Sequence, residues 1–206
     1  HGIKVTAVAA HEDGKADYSS EVGTLASAGG DAVAVIGYLD QGGKGIIQGS
    51  LDSGAFDTFI LSDGMIGDSL TDTFGKSLNK SFGSLPGSTG KGAGIFAKVA
   101  GKAGIDPSGP YTGESYDAAA LIVLAMQAGG SADRDSIAKN VMAVANGPGK
   151  KIYPGQLKKA LDLLAKGKAV DYEGATGVVF TDVGEHVGNF LEKEVKGGKF
   201  KTKKQR

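Results

Sequence analysis

The chain has 206 residues, 40% of them hydrophobic, with basic and acidic side chains balanced at 23 each and no cysteine. The charge balance provides no overall field to favour nucleic acid or an anionic membrane. The missing thiols exclude disulfides, thiolate metal sites and a cysteine nucleophile. The longest apolar run, Ala118–Met126, is far short of the ~20 residues needed to span a bilayer.

In chain order, Ile3–Ala9 alternates and is β-branched, and is expected to form a first strand. Asp17 is placed to cap a helix over Tyr18–Ala28, whose inner stripe is Val22, Leu25 and Ala26. Ala32–Ile36 is a short Val- and Ile-rich run bounded by Gly30 and Gly37, the composition of a buried parallel strand. A short helix over Lys44–Leu51 and a second strand, Phe59–Leu61, complete a strand–helix–strand crossover of the usual right hand. Asp68–Leu78 reads as helix and Ser81–Leu85 as strand, and the Gly, Ser, Thr and Lys of residues 87–94 mark a crossing loop. Helices are expected over Ile95–Ala103, Tyr116–Ala128, Arg134–Ala145 (capped by Asp133) and from Pro154 to Lys166. The second of these is apolar nearly all round and expects burial on several sides. Gly177–Phe180 and Asn189–Val195 alternate like strands, and Lys196–Arg206 is a Lys-rich tail without further pattern. Most of the 35 glycines sit where helices should stop, as at Gly29-Gly30, Gly129-Gly130 and Gly167, and act as caps and turns. The fold class is therefore α/β, a parallel sheet with flanking helices.

In open parallel sheets, ligands bind beyond the carboxyl ends of the strands. Tyr38 follows the first strand of the crossover and Asp63 follows the second, so one aromatic ring and one carboxylate are expected at the same crevice. That pair suits a cationic group held by Asp63 and packed on the Tyr38 ring. The bland alternative is an ordinary loop Asp beside a half-buried Tyr.

Other candidates are thinner. Gly42-Gly43-Lys44 reads first as a tight turn and second as an anion site at a helix start. The loop over residues 87–94 lacks the Lys-Ser/Thr and glycine spacing of a phosphate loop. His1, His11 and His186 have no partners at metal-ligand spacing, and no Gly-x-Ser-x-Gly elbow or acid–base carboxylate pair stands out. No catalytic residue, metal or cofactor is assigned. Glu114, Tyr116 and Asp117 cluster at the start of the apolar helix, with Asp117 expected to serve the helix dipole.

Several segments in order, Ile36-Gly37-Tyr38 with Gly42-Gly43, Leu61-Ser62-Asp63-Gly64, Ser115-Tyr116-Asp117-Ala118-Ala119, Ala145-Asn146-Gly147-Pro148-Gly149 and Asp171–Gly177, resemble the type I periplasmic solute-binding proteins of branched-chain amino acid ABC transporters. The resemblance implies a two-lobed α/β protein that captures a small amino acid or related amide in an inter-lobe cleft and passes it to a transporter permease, without catalysis. It implies that Asp63 binds the ligand's α-ammonium, that Tyr38 packs on the ligand, and that Pro110 to Glu114 lie near the cleft mouth, making Tyr111 and Glu114 further ligand-binding candidates. Residues 1–86 with 189–206 correspond to the second lobe, and 87–188 to a segment returning to the first. In that family the α-carboxylate is held by a first lobe that precedes everything in this sequence. The resemblance therefore implies an N-terminal half, or a second copy of the chain, as partner, and a periplasmic or extracellular location, with a lipid anchor through the upstream sequence expected as one form of it. A ligand-sensing receptor domain of the same build is the alternative, and a nucleotide-cofactor enzyme, for which the motifs are missing, the third reading.

Overall fold

The computed structural model describes residues 2–206. His1, weighed above with His11 and His186 as a metal ligand, lies outside the described residues. In chain order the elements are α1 (Ser19–Ala28), β1 (Val33–Val35), α2 (Lys44–Asp52), β2 (Phe59–Leu61), α3 (Asp68–Phe74), β3 (Phe82–Pro86), α4 (Lys91–Lys102), α5 (Thr112–Gly129), α6 (Arg134–Ala145), β4 (Lys150–Ile152), α7 (Leu157–Leu164), β5 (Val170–Tyr172), β6 (Phe190–Lys196) and β7 (Lys199–Gln205). They form two compact units, one running to Leu85 and including Leu191–Lys204 and Arg206, the other Pro86–Phe190 with Gln205.

The first unit is built on a five-stranded sheet in the order β1-β2-β3-β6-β7. β1 and β2 are parallel, with Val33 opposite Phe59, Ala34 opposite Ile60 and Val35 opposite Leu61, and β2 pairs parallel with β3. Alternation sends Val33, Val35, Phe59 and Leu61 into the core. There they meet Ile47 of α2, Leu70 of α3, and Met65 and Leu78, all fully buried. Full burial of such a side chain is worth about 1.5–3 kcal/mol, so this apolar layer fixes which way the strand ends face.

Several expectations need correction. Ile3–Ala9 forms no strand. Ile3 and Val8 are 83% and 85% exposed. Although β1 is the outer strand of its sheet, the segment forms no ladder with it, so β-branched alternation alone does not make a strand without pairing. The first strand of the crossover ends at Val35, leaving Ile36 exposed. The Lys-rich tail is not patternless: it forms β7, joined to β6 through Gly197-Gly198, both at positive φ, as a two-residue hairpin turn requires. Its lysines face solvent on an edge strand, where charge discourages further pairing. Asp17 does not cap α1 in the usual geometry. The helix starts at Ser19, and Asp17 accepts that residue's own amide (3.1 Å) and hydroxyl (2.6 Å). Asp133 sits at the head of α6, but its carboxylate accepts from Ser131 instead of a helix amide.

The second unit carries a two-stranded parallel sheet, β4 with β5, in which Ile152 lies opposite Tyr172. Neither strand was expected, because each is three residues long and β4 has only Ile152 buried. Gly177–Phe180, expected as a strand, contributes one bridge, Phe180 with His186. α5, α6 and α7 pack their apolar stripes on the pair, burying Ala120, Leu121, Leu124, Ala125, Val144 and Ala160. α5 is buried on one side instead of several, and its opposite face exposes Ala118, Ala119, Ile122 and Val123.

Asp117 has a role other than the dipole one expected for it. It is 3% exposed and lies in the second turn of α5. Its Oδ1 accepts from the Tyr172 hydroxyl (2.9 Å) and the Ala175 amide (2.8 Å), and its Oδ2 from the Thr176 amide and hydroxyl (both 2.8 Å). Every partner is a donor, so the buried carboxylate clamps the loop after β5 onto α5. Burial, and then the Asp117 charge, push the Tyr172 phenol far above its ordinary range. Gly174 permits the approach. It has φ +59°, and a Cβ there would fall within contact of the Asp117 carboxylate carbon at 2.6 Å. Asp117→Asn keeps the shape but turns two donors against donors. It is expected to lower unfolding stability by about 2–4 kcal/mol, the scale of hydrogen bonds to a buried charge. Urea denaturation checks this, and an unchanged midpoint contradicts the clamp.

Candidate functional site

The parallel register of β1 and β2 decides where their following residues emerge. Asp63 comes two residues after Leu61 and Tyr38 three after Val35, so both follow the same end of adjacent parallel strands. The ladder continues one step past the strands, with the Ser62 amide donating to the Val35 carbonyl at 3.2 Å. Beyond it the Ser62 hydroxyl closes the gap between the loops. It accepts from the Gly37 amide at 3.3 Å and donates to the Gly37 carbonyl at 3.2 Å. One hydroxyl thereby satisfies two backbone groups that no further strand residue reaches.

Each loop then turns at once into a short helical turn. After Tyr38, which is extended, Leu39–Gly43 forms a π-type turn closed by the Gln41 and Gly43 amides on the Tyr38 carbonyl. This spends the Gly43 amide and decides Gly42-Gly43-Lys44 in favour of a turn over an anion site. After Ser62, Asp63–Met65 forms a 3-10 turn, anchored by the fully buried Met65. Gly64 packs directly under Tyr38. A Cβ at Gly64 would lie 2.6 Å from the Gly37 carbonyl oxygen and 2.8 Å from Cδ1 of the Tyr38 ring. Tyr38 therefore rests on a glycine that belongs to the Asp63 loop, and the ring is 61% exposed. Asp63 Oδ1 accepts from the Gly64 amide at 2.8 Å, which helps hold the carboxylate at the head of its turn.

His11 also reaches this edge. Its Nε2 lies 3.2 Å from where a Cβ of Gly37 would sit. The sequence offers His11 only as a metal ligand without partners at ligand spacing. Ser62 is not legible in the sequence, because a serine in a loop carries no signal of what its hydroxyl bridges.

Tyr111 and Glu114 belong to the second unit, Tyr111 just before α5 and Glu114 in its first turn. Tyr111 precedes the helix in a left-handed conformation, φ 59°, uncommon for a residue with a side chain. Glu114 lines a cavity of about 170 Å³ together with Pro86, Thr176, His186, Asn189 and Phe190. Among the described residues no group of three or more His, Asp or Glu is placed to hold a metal ion, and no helix is long and apolar enough to cross a membrane.

No protein-family model matches the chain. Its fold is similar to that of a leucine binding protein, LivK, from Thermotoga maritima, at a TM-score of 0.67 and 19% identity over 93% of this chain and 49% of that one. A periplasmic binding protein type 1 from Bordetella pertussis matches with a TM-score of 0.62 at 19% identity, over 92% of this chain and 50% of its own. In sequence, 73 residues, 35% of this chain and 18% of the relative, are 40% identical to the chemotactic signal transduction system substrate-binding protein BasB of Halobacterium salinarum. The chain spans about half the length of the solved proteins it matches. It has the fold of half of a type 1 periplasmic binding protein, mixed α/β with a mostly parallel sheet and flanking helices.

Gly64→Ala tests the seating of Tyr38. The added methyl meets backbone oxygen and ring together, so the ring has to move and overpacking is expected to cost about 1–3 kcal/mol. Near-UV dichroism, read on tyrosines because the chain has no Trp, should change along with the melting temperature. A variant with unaltered spectrum and stability contradicts the contact.

Proposed function

We propose that the chain binds a small amino acid, branched-chain or otherwise, or a related amide, as part of a solute-binding component of an ABC importer. Asp63 takes the ligand's ammonium group and Tyr38 packs against the ligand. The observation that carries this reading is the convergence of an exposed aromatic ring and a carboxylate at the carboxyl ends of two adjacent parallel strands, held by Ser62. A carboxylate and an aromatic face are the two groups that recognise an ammonium, and this strand edge is where open α/β sheets place ligands. The likeness in fold to a leucine binding protein and to a putative branched-chain amino acid ABC transporter protein of Rhodospirillum rubrum (TM-score 0.56, 13% identity, 92% of this chain and 49% of that one) supports the choice of ligand class.

In this reading the unit carrying Tyr38 and Asp63 is the second lobe and the other unit is a returning part of the first. Tyr111 and Glu114, in the latter, are further ligand-binding candidates. The work is capture without a catalytic step, outside the cytoplasmic membrane, with delivery to a permease. A second reading is favoured by the local similarity to BasB: the same ligand site reports occupancy to a signalling receptor. The protein's membrane partner separates the two, a transport permease in one case and a chemoreceptor in the other.

Asp63→Asn removes the charge from the ammonium contact while keeping the side-chain shape. A charge-assisted hydrogen bond of about 1.5–3 kcal/mol corresponds to a loss of about 10- to 100-fold in affinity for α-amino acids. Isothermal titration with leucine, isoleucine and valine measures it. Dissociation constants equal to those of the unsubstituted protein contradict the assignment of Asp63.

A further inference from the structure

The sheet of the first unit is covered on one face only. Val33, Val35, Phe59 and Leu61 point into a layer made with Val22 of α1, Ile46 and Ile47 of α2 and Leu70 of α3. On the opposite face the register sets Ala34, Ile60 and Phe82 side by side across three strands. Ala34 is exposed, Ile60 half-buried and Phe82 44% exposed, so no helix of this unit lies over them. Sheets of parallel strands are covered on both faces as a rule.

The edge beside that face is open as well. The Val33 amide donates to the Thr58 carbonyl at 3.1 Å, and the Val35 carbonyl accepts from the Ser62 amide at 3.2 Å. Backbone groups alternate in direction along a strand, so the Ala34 N–H and C=O point away from β2, out of the sheet. Ile3–Ala9 runs past this edge. The Thr6 hydroxyl donates to the Gly29 carbonyl ahead of β1 at 2.7 Å, and His11 reaches Gly37 beyond β1. The segment therefore follows the direction of β1, bridges to either end of it through side chains, and shares no backbone hydrogen bond with it.

Handedness joins the open edge to the bare face. From Ile3–Ala9 through α1 to β1, and on through α2 and α3, the chain steps across the sheet in one direction with its helices on one face. Strand–helix–strand crossovers are right-handed, so a step in the opposite direction carries its helix on the opposite face. A strand lying between Ile3–Ala9 and β1 and leading to Ile3 takes that opposite step, and its helix falls across Ala34, Ile60 and Phe82. Charge adds a further condition. The β6–β7 hairpin flanking this face carries seven basic and two acidic side chains between Phe190 and Arg206. Lys196 and Lys203, with Glu194, border a groove of about 450 Å³ beside Phe82. The helix flank that meets this hairpin is therefore acidic.

We propose that the open edge of β1 and the bare face beside it together receive one strand–helix unit of the partner half. Its strand, apolar on both faces, enters parallel between Ile3–Ala9 and β1. Its amphipathic helix lies on Ala34, Ile60 and Phe82 with an acidic flank toward β6. The solved proteins that share this fold are about twice the length of this chain, room enough for such a unit. The surface is independent of which ligand the strand ends hold.

Amide hydrogen exchange, followed by NMR on the full chain, tests this. In the chain alone the Ala34 amide is expected to exchange at an unprotected rate while that of Val33 is slow. A designed unit is then fused ahead of His1. It has a Val- and Ile-rich strand of about five residues, a turn, and an amphipathic helix of about 14 residues. Leucines form the helix stripe and glutamates the flank toward β6. The fusion is expected to slow exchange about 100-fold or more at Ala34 and through Ile3–Ala9. Proline at the centre of the added strand, or Phe82→Asp beneath the added helix, is expected to abolish the slowing. Lysines in place of the glutamates are expected to reduce it about tenfold. An Ala34 amide already protected in the chain alone, or a fusion that leaves it fast, overturns the proposal. So does equal slowing with the proline strand or with Phe82→Asp. Equal slowing with the lysine helix overturns the acidic flank.

Discussion

The parallel pairing of Val33–Val35 with Phe59–Leu61 is the constraint on which the candidate site depends. Side chains alternate along a strand, so a slip of one residue would turn Phe59 and Leu61 to solvent and bring exposed neighbours inward. Phe59 and Leu61 are both buried, and that burial holds the register at an energy no loop contact could match. Once the register is set, the positions of Tyr38 and Asp63 follow from counting residues past the strand ends. Ser62 then ties the two exits with a single hydroxyl, at a point where the ladder has run out of backbone partners. Glycine at 37 and 64 lets the two loops and the Tyr38 ring approach closer than any side chain would allow.

The second unit shows the same economy with a different device. Its short parallel sheet is fastened to α5 by the buried Asp117, whose acceptor oxygens meet only donors from residues 172–176. An unpaired buried carboxylate would be costly. Fully satisfied, it fixes the loop after β5 as firmly as the apolar contacts of Leu124 and Tyr172 fix the helix layer. The exposed face of α5 formed by Ala118, Ala119, Ile122 and Val123 leaves apolar surface that the unit itself does not cover.

Much of this was legible in the residues. The central crossover could be read because β1 and β2 are short runs of Val, Ala, Phe, Ile and Leu whose alternate residues are buried, and because glycine ends the helices beside them. Gly29 and Gly130 do stop α1 and α5, both at positive φ. The rest failed for reasons of partnership. Ile3–Ala9 has the composition of a strand, but pairing belongs to the neighbour as much as to the segment. β7 was hidden because its outward lysines mask a strand that only the hairpin with β6 supports. β4 and β5 are too short for periodicity to show. Asp117 looked like a dipole residue because its four partner atoms all lie 55 to 59 residues away in sequence. Tyr38 and Asp63 could be found from topology.

The most direct measurement of the site as a whole is a leucine titration of the isotopically labelled chain, followed through its backbone amide resonances. Saturable shifts concentrated at Gly37, Tyr38, Asp63 and Gly64 are the expected result, because these amides lie at the strand ends that Ser62 joins. Saturable shifts confined to other residues, such as those around the Glu114 cavity, with none at the strand ends, would contradict a ligand site at the edge of β1 and β2.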